Sequence, residues 1–329
     1  TSTIAMSEVQ TQDIEKNVSK ESVPDEAPCP YWLMMIPYML TFVFFTFFSW
    51  KFIDTKPIQW HFPVVAYVFA VFCVLHWCYL LGERWYFYGP AGFYEIYWYC
   101  SLALLFTAAA VVLKLPSLIA ECMCLTLFPH ISFWIDAILT PICGHEVIGS
   151  AGWLYDKETP WHERISTFHH FWFFPCIFIV LYGQPPIPIQ GYILSIVQFV
   201  VLNFFAHFMT PNVTVDKNGE IRKLNICVSH VAPDFLLNIP PFSWGTRQPY
   251  LVFLLVATLC YNVPFNYVAF FICEKVQQLV NMISCSIVCS SLLPNSRLRV
   301  DEAFPILSQP CLGTFRFKSF SVCKAIRSM

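Results

Sequence analysis

Seven apolar stretches, each close to the length that crosses a bilayer, govern what this chain can fold into. They cover residues 32–50, 62–81, 93–113, 115–139, 165–182, 189–209 and 250–273. A helix rising 1.5 Å per residue needs about 20 apolar residues to cross a hydrocarbon layer of about 30 Å. Inside that layer no water can satisfy the backbone, so only helices and closed barrels span it. These stretches are predominantly apolar and do not alternate, which selects helices; the fourth carries Glu121, Pro129, His130 and Asp136, so it is expected to be kinked or buried in the bundle. The fold expected is therefore all-α, a polytopic membrane protein with about seven transmembrane helices in one bundle. Composition agrees: 57% of residues are hydrophobic and only 12% charged, against roughly 25% charged in a soluble domain.

Three segments follow. Residues 1–30 are polar and acidic and read as a disordered N-terminal tail. Residues 31–273 form the membrane domain. Residues 274–329 form a C-terminal tail of uncertain structure, rich in Ser and Cys. Gln277, Gln278 and Asn281 argue against an eighth helix over residues 276–293, so a chain cut after Lys275 is expected to fold without its tail. No internal repeat is visible, which argues against an inverted-repeat transporter.

Charge fixes an orientation. Lys16, Lys20, Arg84, Lys157, Arg164, Lys217, Arg222, Lys223 and Arg247 fall on the side of the N-terminus; Lys51, Lys56, Lys114 and Lys275 fall on the other. The excess places the N-terminus in the cytosol, and the sequons at Asn17 and Asn212 with it. A net charge of −2 offers no basic surface for nucleic acid, so membrane lipids are the expected partners. Most of the fifteen cysteines sit in apolar segments as small hydrophobes. No CxxC pair exists, and neither a metal nor a cofactor is expected. Asn218-Gly219, in the long loop after the sixth apolar stretch, reads as a hairpin turn.

Chemistry concentrates between Trp161 and His207. His169 and His170 lie early in the fifth apolar stretch and His207 late in the sixth, with a proline turn at residues 184–188 between them. Ionisable groups at membrane depth are costly and usually face a bundle interior. Antiparallel helices joined by a short turn bring the start of one level with the end of the next, so His169 and His207 are expected at one membrane depth. The bland alternative is that all three are hydrogen-bonded packing residues. A di-iron hydroxylase would need several short histidine boxes, and these are missing. His145-Glu146 lacks the second histidine of HExxH. A seven-helix zinc amidohydrolase would carry histidines in its last helix, and residues 250–273 have none. Acyl transfer needs a base; His169 or His170 could serve, oriented by Asp234 or Glu121.

From about residue 62 to 244 the chain resembles the transmembrane protein 164 family and the bacterial YwaF-type membrane proteins. The resemblance rests on His169 ahead of Pro175, the string Phe204-Phe205-Ala206-His207-Phe208, the pair Leu224-Asn225, Asp234 before a Phe- and Pro-rich turn, and Leu127-Phe128-Pro129 upstream. It implies transfer of a polyunsaturated acyl chain onto ether phospholipids, in the endoplasmic reticulum or Golgi. His169 would be the base, supported by His207, Asp234 and His170. The family's cysteine, in an Asn-Pro-Cys-His string, is replaced here by Ala91 in Gly89-Pro90-Ala91-Gly92. Either Cys100 substitutes for it or no cysteinyl intermediate forms. The rival expectation is a non-catalytic scaffold or transporter-like protein of the same fold.

Overall fold

A computed structural model describes residues 31–55, 58–219, 221–224, 229 and 239–292. The tail 1–30, Asn225, Asp234 and the chain beyond residue 292, on all of which the sequence raised expectations, lie outside the described residues.

Proline punctuates the architecture. It stands at the first position of helices α2 (Pro63–Tyr88), α4 (Pro116–Cys143) and α8 (Pro240–Gly245). It also stands immediately before α5 (Trp161–Ser166), α7 (Ile189–Met209) and α9 (Tyr250–Ala257). Its fixed φ suits a helix start, and its missing N–H is one the first turn could not use. The remaining helices are α1 (Tyr31–Phe48), α3 (Tyr99–Leu113), α6 (His169–Val180) and α10 (Val263–Leu292), which continues α9 through a π-helical turn. The one described sheet is a hairpin, β1 (Val213–Val215) against β2 (Ile221–Lys223), with Gly219 at positive φ in its loop. The Asn218-Gly219 turn signal stands within that loop. Lys217 Nζ donates to Tyr86 O, and Asn218 Nδ2 to Phe87 O at 3.5 Å, so the hairpin covers carbonyls at the end of α2.

The all-α membrane fold is as expected; the count of seven spanning helices is not confirmed among the described residues. Among the described residues five helices are long and apolar enough to cross a membrane, or six if a bent pair counts as one span. The bent pair is the third expected span: residues Pro90–Tyr97 meet α3 at 67° because Trp98 between them is extended, at ψ 132°. The fifth expected span is broken between Ser166 and His169, leaving pieces of 6 and 12 residues.

α4 is the axis of the bundle. Two thirds (67%) of its membrane-length window is buried, against at most 39% in the other four spans. It packs on α7, α3 and α10. Gly191 of α7 meets Ala120 and the Ser117 carbonyl so closely that a Cβ would overlap both, the small-residue contact typical of helices in lipid. α2 is peripheral: Val64, Val68, Val71 and Leu75 form an exposed apolar stripe, while Ala66, Phe69, Ala70 and Cys73 face inward. Exposure of such a stripe suits lipid as solvent.

Polar groups hold both ends of α4. Asp54 accepts from Ser117 N–H, 3.2 Å, and from its hydroxyl at the helix start; burial pushes this carboxyl up from its ordinary range, against those two bonds. Near the other end, buried Asp136 accepts the backbone N–H groups of Val147, Ile148, Ser150 and Ala151, 2.8–3.1 Å for those other than Ser150. One carboxylate thus organises the loop that follows Gly144.

Past residue 273, α10 continues unbroken to Leu292, and two of the polar residues that argued against a helix there, Gln277 and Asn281, are its contacts with the proline turn. Gln277 Nε2 donates to Leu181 O (3.3 Å), Gln184 O (3.4 Å) and Pro185 O (2.9 Å), while its Oε1 accepts Ile187 N–H at 3.1 Å. Asn281 Oδ1 accepts Gly183 N–H at 2.9 Å. A proline turn cannot satisfy its own backbone, and this face of α10 does so.

Candidate functional site

The break between α5 and α6 lies in the interior, with Ser166 fully buried. A helix end leaves carbonyls without intrahelical partners, and at this depth the protein must supply them. Two histidines do: His76 Nε2 on α2 and His169 Nδ1 on α6 both donate to Ser166 O at 3.0 Å. His170 Nδ1 donates to Thr167 O at 2.9 Å. On α4, His130 Nδ1 donates to Thr126 O at 2.8 Å.

These four rings form one cluster. Ring centroids are 4.1 Å apart for His169–His170, 4.6 Å for His130–His170, 5.1 Å for His76–His169 and 6.2 Å for His130–His169. Phe133 stacks on His170 at 4.4 Å, and Trp134 Nε1 donates to His170 O at 2.6 Å. Cys100, at the start of α3, completes the group: its sulfur and one ring nitrogen each of His169 and His170 all lie within 4.8 Å of one another.

The hydrogen bonds fix the tautomers. A carbonyl only accepts, so the Nδ1 of His130, His169 and His170 must carry a proton. In the neutral ring Nε2 is then a lone-pair acceptor. The Nε2 atoms of His130 and His169 are buried and have no hydrogen-bond partner. The cluster therefore presents bare imidazole lone pairs beside a thiol.

A second polar group adjoins it. Glu83 Oε1 meets His162 Nδ1 at 2.6 Å, and Arg84 Nε reaches Glu95 at 3.0 Å. Phe87 stacks on His162 with centroids 3.4 Å apart. This network ties α5 to α2 and explains why α2 runs past Leu81, where the sequence reading ended it.

His169 and His170 thus come together, but their described contacts and those of His207 fall in separate groups. His207 stacks on Tyr250 at 3.4 Å and its Nδ1 donates to Ser229 O at 2.7 Å. The depth argument needed two full spans, and α6 is not one. From the turn, His169 lies about 17 Å up α6 and His207 about 27 Å up α7. Asp234 lies outside the described residues. Glu121, the other carboxylate considered as an orienter, is buried with neither oxygen paired. It is nine positions before His130, about 13.5 Å along α4 and half a turn around on an ideal helix, and so faces away from the cluster. Sequence reasoning singled out the His169-His170 doublet and Cys100 separately. It missed His76 and His130, each a lone histidine in an apolar run with no local signal.

No family model, curated protein or solved structure compared with the chain matches it.

Proposed function

We propose that this chain is an integral membrane enzyme of the endoplasmic reticulum or Golgi that moves acyl chains between phospholipids. The observation that carries the proposal is the gathering of the Cys100 thiol with His169 and His170 in the bundle interior. Nucleophile and base within reach, with the base held by a third group, is the arrangement covalent acyl transfer needs. The Ser166 carbonyl is the third group here, holding His169 Nδ1–H so that Nε2 can take a proton. Nε2 takes the Cys100 proton, and the thiolate attacks the ester carbonyl of a donor phospholipid. The lysolipid leaves with that proton. An acceptor hydroxyl then gives its proton to Nε2 and attacks the thioester, releasing the thiol. The resemblance to the transmembrane protein 164 family supports the same chemistry, with Cys100 in place of the residue lost at Ala91.

One observation favours the non-catalytic reading: His76, His169 and His170 all cap carbonyls at the helix break, which packing alone would require. The phospholipid profile and melting point of Cys100→Ser, His169→Gln and His170→Gln separate the two. Catalysis predicts that Cys100→Ser and His169→Gln abolish lipid remodelling with expression near normal, and that His170→Gln has a smaller effect. An unchanged lipid profile in cells carrying His169→Gln, beside a protein destabilised by about 1–3 kcal/mol, would sink the enzyme.

A further inference from the structure

We infer that Cys100, His169 and His170 form a binding site for a zinc-class transition-metal ion, with His130 the nearest further ligand. Four observations carry it.

The first is convergence. Three donor atoms of ligand type lie within 4.8 Å of one another. Around a tetrahedral ion with Zn–N near 2.0–2.1 Å and Zn–S near 2.3 Å, ligand atoms stand about 3.3–3.7 Å apart. The donors need to close by only about 1 Å, a side-chain adjustment.

The second is tautomer. A ligating histidine normally donates its other ring N–H to a carbonyl or carboxylate, which orients the ring and raises its basicity. His169 and His170 each do so, to Ser166 O and Thr167 O. His130 does the same to Thr126 O.

The third is the orphan. His169 Nε2 and His130 Nε2 are buried without a hydrogen bond. Buried polar atoms are nearly always paired, and an exception asks for an explanation such as an ion. An ion would satisfy His169 Nε2 directly, and His130 Nε2 if it closes the fourth position.

The fourth is selectivity. The cluster offers a thiol and imidazoles, and no carboxylate faces it among the described residues: Glu121 points away, and Glu83 is committed to His162. Magnesium and calcium demand oxygen ligands. Sulfur and imidazole nitrogen suit zinc. Binding would displace the thiol proton of Cys100 to solvent, so affinity rises with pH. With zinc bound, the sulfur is a weaker nucleophile and His169 Nε2 has no lone pair left to take a proton, so if acyl transfer also holds, the zinc-loaded protein is its inactive form. The metal site itself does not rest on that reading.

The test uses the full-length protein, purified in detergent without an affinity tag, stripped with chelator, reloaded with zinc sulfate and desalted. Metal is measured by mass spectrometry, and affinity by competition with a chromophoric chelator. One zinc per chain is expected. Cys100→Ser and His170→Gln should each weaken binding by about 100-fold or more, beyond the loss typical of an outer-shell change, while Cys260→Ser, at an exposed cysteine, should not. Reloading the unmutated protein with cobalt(II) should give a sulfur-to-cobalt charge-transfer band, a readout independent of whether any variant folds. Zinc held at unmutated affinity by Cys100→Ser, no zinc bound, or cobalt without the band would each overturn the site. Intact zinc binding beside an unchanged lipid profile in knockout cells would overturn only the acyl-transfer reading.

Discussion

The proline turn and the histidine cluster are both polar groups buried in this apolar bundle, and they differ in how completely they are paired. At the proline turn, Gln184, Gln277 and Asn281 leave no buried side-chain atom unpartnered; two amides on α10 serve several carbonyls and N–H groups of residues 181–187. In the histidine cluster each ring is tied by one nitrogen, and the other is left bare on His130 and His169. Both clusters sit where a helix is interrupted, so backbone satisfaction is the task they share. The turn does that task and nothing more. The cluster does it with half of each ring, leaving lone pairs and a thiol facing one another. Unpaired atoms at membrane depth cost stability, so a cluster that keeps them is the place to look for chemistry.

The comparison can be broken from either side. The largest effect should come from cutting the chain after Lys275, which strips every α10 bond from the turn. At about 1–3 kcal/mol for each buried backbone group left unpaired, the loss approaches the whole stability of a typical domain, about 5–15 kcal/mol. The shortened protein should aggregate on size-exclusion chromatography in detergent; a monodisperse peak would show that the turn is satisfied some other way. Gln277→Leu, a single-residue version, should cost about 3 kcal/mol by unpairing Ile187 N–H and Pro185 O, read as a lowered melting point with lipid remodelling per folded molecule unchanged.

Asp136→Ala should cost a similar amount, about 3 kcal/mol, because four N–H groups lose their acceptor and only part of the loop can turn to water. Limited proteolysis should then cut between residues 144 and 152 sooner than in the parent, and equal cutting would mean the loop holds its shape without the carboxylate. The smallest effect belongs to His130→Phe. The change loses the Nδ1 bond to Thr126 O, a carbonyl within α4, but it also removes a buried nitrogen without a partner and keeps a similar volume, so the net cost should be about 1 kcal/mol or less. Zinc affinity should nevertheless fall if His130 closes the coordination shell. A large drop in melting point would make His130 a structural residue.

The spans were legible because apolar length and proline punctuation are local signals. Residues 115–139 and 189–209 were found nearly end to end, and residues 62–81 all but the last two turns of α2. The break in the fifth span was not legible: residues 165–182 carry no Gly and no Pro near residue 167 to mark it, and the Ser166 carbonyl where α5 ends is capped by His76 from another helix. The continuation of α10 was missed for the same reason, since Gln277 and Asn281 look like surface residues until the turn they serve is in place. The histidine doublet was visible as a cost that needed explaining. Its companions were not, because Cys100, His76 and His130 come from three other helices and only packing assembles them.

The pairing of Gln277 with Pro185 spans 92 residues of chain, and that separation is also an interval of time. At about 5–20 residues per second, a ribosome needs roughly 5–20 s to travel it. Throughout that wait the turn between α6 and α7 is already made but has nothing to bind its carbonyls. The newborn bundle must therefore pause half-assembled, its turn hydrated or held by the insertion machinery, until α10 arrives and closes it. Closure of this turn waits on α10, the last of the described helices.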